Sequence, residues 1–103
     1  MLVYTVTCAL PSEEECERYL GWLEDDHLAD VVRAGAVSGE AVRLDGEGVV
    51  VETRYRFASR EAFAAYERGP AEALRAEGRE KFGPETGVTF TRSVGEVRVA
   101  RGG

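Results

Sequence analysis

A chain of 103 residues that is 44% hydrophobic and 31% charged has material for one modest core and lies outside the disordered range. Thirteen basic against nineteen acidic residues leave a net charge of −6, which disfavours nucleic acid and anionic membrane as partners. Apolar runs are too short for a membrane-spanning helix, no secretory leader follows Met1, and the two cysteines form no disulfide framework. A cytoplasmic protein is expected.

Leu2 to Leu10 alternates as a strand, with Leu2, Tyr4, Val6, Cys8 and Leu10 on the core-facing side. Ser12 and Glu15 form a capping box that opens a helix, and Glu13, Glu14 and Glu15 suit the positive end of its dipole. The pattern predicts one continuous helix to Ala34, closed by Gly35, with Cys16, Tyr19, Leu20, Leu23, His27, Val31 and Ala34 on its buried stripe. Val37 to Leu44 reads as a second strand, bulged near Gly39, and Asp45-Gly46-Glu47-Gly48 as a hairpin turn. Val49 to Phe57 is a cleanly alternating third strand that turns Val51, Thr53, Tyr55 and Phe57 inward. Ser59 caps a second helix bearing Phe63 and Tyr66, Gly69-Pro70 interrupts it, and a further segment carries Leu74 to Phe82-Gly83. A last strand runs from Val88 to about Val99, disturbed at Gly95.

The order β-α-β-β-α-β is the α+β, ferredoxin-like arrangement: a four-stranded antiparallel sheet with two helices on one face. Right-handed crossovers place strands one and three in the centre. Residues 1–100 form a single domain in this reading, and residues 101–103 a frayed end.

From residue 22 to 35 the chain reads W-L-E-D-D-H-L-A-D-V-V-R-A-G. This resembles a family of uncharacterised bacterial proteins of the dimeric α/β-barrel superfamily, whose first helix carries a W-M-x-x-x-H-I-P-D-V-L-x-T-G type segment. The opening Met1-Leu2-Val3-Tyr4, the stretch Gly69-Pro70-Ala71-Glu72-Ala73-Leu74-Arg75 and Phe82-Gly83 are similar to the same family, while Ala29 stands where it has proline. The resemblance implies a dimeric α/β barrel, hence a homodimer, but no established reaction. The wider superfamily includes cofactor-independent monooxygenases, cyclases, isomerases and haem-degrading enzymes.

His27 is the only histidine and sits mid-stripe, where an imidazole can give or take a proton at neutral pH. Asp30, about 60° round the helix, is placed to orient it. The plainer alternative is a core histidine that only packs. Tyr4 and Tyr55 share the core-facing parity with Thr53, and the three are candidate ligand-binding residues of a pocket between helices and sheet. Trp22 falls at about −120° from Cys16 on the helical wheel, off the stripe, which suits a pocket rim or a subunit contact.

Eight acidic residues against Arg18 between Ser12 and Asp30 read as a solvated face. Cys8 and Cys16 read as inert core thiols. Arg54, Arg56 and Arg92 can hold an anion or make surface pairs. No metal site and no haem or other cofactor is expected. Together these residues point to a small-molecule pocket with cofactor-free acid/base chemistry of the isomerase, cyclase or monooxygenase kind. The alternative is a non-catalytic ligand-binding or dimerisation module.

Overall fold

Strand alternation, helix caps and glycine turns produce the element order that the sequence predicts. The computed structural model describes residues 1–102. Strand β1 (Leu2–Leu10), β2 (Ser38–Arg43), β3 (Val49–Phe57) and β4 (Thr89–Glu96) form one antiparallel sheet in the order β2-β3-β1-β4. The two most regular strands are central, with Tyr4 opposite Tyr55 and Cys8 opposite both Val51 and Phe90. The fold is therefore the ferredoxin-like βαββαβ arrangement.

The first crossover starts as its caps require: Ser12 accepts from the Glu15 amide and α1 runs over Glu13–Trp22. It does not continue as one α-helix to Ala34. A π-helical turn at Leu23–His27 intervenes, with the Leu28 amide donating to the Leu23 carbonyl, before α2 (Leu28–Arg33) resumes. Gly35, at φ 135°, then ends the helix, as its lack of a Cβ permits. The second crossover is broken at Gly69-Pro70 into α3 (Arg60–Arg68), capped by Ser59, and α4 (Ala71–Lys81). A short 3₁₀ turn at Pro84–Thr86, absent from the sequence reading, leads into β4.

Two further expectations are corrected. Pairing of β2 with β3 runs in register through Gly39, so there is no bulge there. Gly39 is required for a different reason: a Cβ at that position would lie 2.9 Å from the Tyr55 ring. Pairing of β1 with β4 likewise continues through Gly95 to Glu96.

The core divides into two clusters under the helices. One gathers Leu2, Tyr4, Val31, Tyr55, Phe57 and Phe63; the other gathers Cys8, Cys16, Tyr19, Leu23, Val51 and Phe82. The opposite face of the sheet carries Val3, Thr5 and Thr7 beside Glu52, Arg54 and Arg56, with no helix over it. Arg54 pairs there with Glu52 at 2.6 Å and with Glu40 at 3.7 Å. Among the described residues no helix is long and apolar enough to cross a membrane. Beyond Glu96 the chain through Gly102 has no regular structure, and Gly103, within the expected frayed end, lies outside the described residues.

Candidate functional site

A cavity of about 60 Å³ lies between the helices and the sheet, several times the ~10–15 Å³ that one water occupies. Strands β1 and β3 give it Tyr4, Val6 and Tyr55. The first crossover contributes Tyr19, Trp22 and His27, and α4 contributes Leu74, Arg75, Gly78 and Arg79. Phe90 and Arg92 come from β4. Four of the six predicted site residues, Tyr4, Trp22, His27 and Tyr55, thus share one wall.

The π turn explains how Trp22 joins them. In a regular α-helix, residues five apart stand about 140° round the axis from each other, so Trp22 would face away from His27. A π turn closes i to i+5 and brings that pair onto one side. The Trp22 and His27 rings stack with centroids 4.3 Å apart and planes 20° from parallel. Next in the row is Tyr55, edge-on to His27 at 6.4 Å, and then Tyr4, stacked on Tyr55 at 5.9 Å. The fixed helical angle used on the sequence could not anticipate this, because it assigns every residue the same rotation.

His27 is desolvated, and burial lowers its pKa, with the charges of Glu77 and then Asp30 working against that. Its Nδ1 is buried without a hydrogen-bond partner. A proton on that nitrogen would leave an N–H without an acceptor, which favours the neutral tautomer protonated on Nε2.

Asp30 is not the orienter that its spacing suggests. Its carboxylate is taken by Arg33, one turn further along the same helix, and lies off the cavity wall. The carboxylate with the larger effect on His27 is Glu77, which also accepts from Trp22 Nε1 at 3.4 Å. Thr53 is fully buried but off the wall as well. Its Oγ1 is buried without a hydrogen-bond partner, and Tyr19 lines the cavity where Thr53 was expected to.

At the other end, the Tyr4 hydroxyl accepts from Arg92 Nε at 3.0 Å and from Arg75 Nη2 at 3.3 Å. Arg75 also pairs with Glu67 at 2.6 Å, and Arg79 pairs with Glu72 at 3.0 Å. Among the described residues no carboxylate pairs with Arg92. Burial raises Tyr55 and Tyr19 well above the phenol range and pushes Tyr66 up to about 12, so these three stay protonated.

Sequence reasoning missed the α4 wall. Its signal was the adjacent i,i+4 pairs Leu74–Gly78 and Arg75–Arg79, which fall on neighbouring stripes of one helix. Gly78 is close packed there, since a Cβ would lie 3.4 Å from the Trp22 ring. The two cysteines are free and buried, and burial drives the Cys8 thiol up to about 12, far from a reactive thiolate. No three His, Cys, Asp or Glu side chains among the described residues gather as a metal-binding group.

The fold and cavity define a ferredoxin-like α+β protein with a pocket between helices and sheet. The chain belongs to the family DUF4286, a domain of unknown function, which matches it over residues 1–97. No curated protein matches it. Among solved structures it is similar to a dimeric ferredoxin-like protein from an uncultured marine organism, at 15% identity over 98% of each chain and a TM-score of 0.75. It is also similar to a candidate antibiotic-biosynthesis monooxygenase from Deinococcus radiodurans, at 13% identity over 99% of this chain and 97% of that one, with a TM-score of 0.71. A third similar structure is a variant of MhuD with two manganese protoporphyrin IX molecules in each active site, at 20% identity over 100% of both chains and a TM-score of 0.66. At these identities the likeness is one of fold.

Proposed function

We propose that this protein binds a small organic molecule in the cavity and carries out cofactor-free acid/base chemistry on it, with His27 as the acid that polarises it through a hydrogen bond. The observation that carries the reading is the placement of His27. It lies on the cavity wall, its Nδ1 is unpartnered, and its ring is clamped between Trp22 and Tyr55.

With Nδ1 sealed, Nε2 is the nitrogen left for a ligand, and the neutral ring presents an N–H there. The Nε2–H of His27 then donates a hydrogen bond to oxygen that gains negative charge during an isomerisation, a cyclisation or an oxygenation by dioxygen. Glu77 holds Trp22 and adds negative charge beside His27, and Asp30 adds a smaller amount from behind Arg33. Tyr4 and Tyr55 shape the strand side of the cavity, and Thr53 lies buried beside them in the sheet. The dimeric state named for a similar structure supports a homodimer formed by the uncovered sheet face, giving an α/β barrel with one pocket per subunit. A cytoplasmic location accords with the composition.

His27→Leu tests the reading. The change removes a buried nitrogen that has no partner, so stability holds or rises by about 1 kcal/mol. Any small molecule that co-purifies with the wild type, seen by native mass spectrometry, is lost from the variant. A stability loss of about 2–3 kcal/mol with ligand retained would make His27 a packing residue and the protein a binding or dimerisation module.

A further inference from the structure

We infer that the pocket is built for a small planar organic anion, a carboxylate on an aromatic or conjugated body, whose charged group is taken by Arg92. The inference rests on the pocket reading above and adds the ligand class to it.

Three arginines, Arg75, Arg79 and Arg92, line the cavity, and Arg75 and Arg92 meet at the Tyr4 hydroxyl. Arg75 and Arg79 are neutralised by Glu67 and Glu72. Arg92 has no carboxylate partner among the described residues, in a protein whose net charge is −6. Arg92 is exposed to solvent and is, of these three, the one whose charge is left for a ligand. Arg92 is also held in place, since its Nε donates to the Tyr4 hydroxyl at 3.0 Å. That bond engages one edge of the guanidinium and leaves its two terminal nitrogens for a bidentate acceptor. The Tyr4 hydroxyl, accepting from Arg92 and Arg75, still has its own proton to donate to the same group.

The body of the ligand follows from the rest of the wall. Tyr4, Tyr19, Trp22, Tyr55 and Phe90 present flat apolar rings around about 60 Å³, which suits a thin, small molecule. Charge fixes its direction. Glu77 lies beside Trp22 and His27 at one end and Arg92 beside Tyr4 at the other, so an anion enters with its carboxylate toward Arg92 and its far edge toward His27.

Trp22 is the only tryptophan and lines the cavity, so its fluorescence reports occupancy directly. The experiment titrates the intact protein with benzoate and with benzamide, which match in shape and differ in charge. Benzoate should give a saturable change and bind about tenfold tighter than benzamide. Arg92→Gln should abolish that preference, and Arg92→Lys should keep part of it. Equal affinity for the two probes in the wild type, or a benzoate preference that survives Arg92→Gln, overturns the anion assignment and leaves the pocket reading standing. No saturable response to either probe overturns both. The wild-type comparison decides the matter even if a variant at Arg92 folds poorly.

Discussion

Trp22 and His27, five residues apart, stack at 4.3 Å because the helix between them is wound one residue too long. Glu24, Asp25 and Asp26 on this turn are all exposed, so the extra residue is accommodated in solvent. Removing it should restore an ordinary α-helix without disturbing either flank. Deletion of Asp25 is expected to change stability by no more than about 1 kcal/mol, because Trp22 and His27 then become an i,i+4 pair on one face. Deletion of Glu17, equally exposed but within α1, should rotate part of the helix by about 100° and turn Leu23 or Cys16 out of the core. Each large apolar side chain exposed in this way costs about 1.5–3 kcal/mol. Urea midpoints of the two deletions provide the comparison. Equal and severe loss in both would mean that the turn is not an insertion.

The pH dependence of stability should carry a signature of His27. Burial lowers its pKa in the folded protein, Glu77 and Asp30 opposing in part. The unfolded chain therefore binds this proton at higher pH than the folded chain does. Stability attributable to His27 is complete above about pH 6.5, falls as pH drops through that value, and stops falling once the folded imidazole protonates too. In His27→Gln this component is absent, while every carboxylate is retained. The difference in urea midpoint between wild type and variant should thus shift against the wild type on going from neutral to mildly acidic buffer. A difference independent of pH would show that the imidazole is not desolvated.

Gly39→Ala should loosen the Tyr55 end of the aromatic row. The new Cβ would lie 2.9 Å from Tyr55 Cδ1 and 3.3 Å from Leu28 Cδ2, so the Tyr55 ring must shift toward the cavity. Overpacking of this kind costs about 1–3 kcal/mol. Thermal unfolding measures the cost, and altered Trp22 fluorescence in the folded protein shows the disturbance travelling through His27. An unchanged melting temperature would contradict the close contact.

Thr7→Arg should separate the proposed dimer without unfolding the subunit. Thr7 lies on the uncovered face between Glu52 on β3 and Thr91 on β4, so an arginine there meets a carboxylate within its own subunit. The same side chain blocks a second sheet from packing flat against the first. Light scattering is expected to give a dimer for the wild type and a monomer for the variant. A dimeric variant would place the interface elsewhere.

The sheet was legible because strands β1 and β3 alternate strictly, and a two-residue period leaves one choice of buried face. Caps at Ser12 and Ser59 and the break at Gly69-Pro70 were equally plain, since each rests on local chemistry. The cavity was legible through Tyr4 and Tyr55 on the strands, His27 on the helix stripe, and Trp22, whose place off the stripe suited a pocket rim or a subunit contact. Asp30 misled because three-residue spacing suits His27 and Arg33 equally, and only the folded protein shows that Arg33 takes the carboxylate. Glu77 and Arg75 were out of reach, as their meeting with Trp22 and Tyr4 depends on how α4 lies over the sheet.

Strand order carries a consequence for biosynthesis. Of the four strands of the sheet the first to be synthesised, β1, is central, and one of its two neighbours, β4, is the last of the four. Until Thr89–Glu96 is made, β1 presents an unpaired edge on that side, a template for any other extended segment nearby. Without β4 the chain also lacks Phe90 and Arg92, so it holds no finished pocket. Folding of this sheet is a closing event that waits for its fourth strand, and a stop before β4 yields a sticky fragment and not a weakened protein.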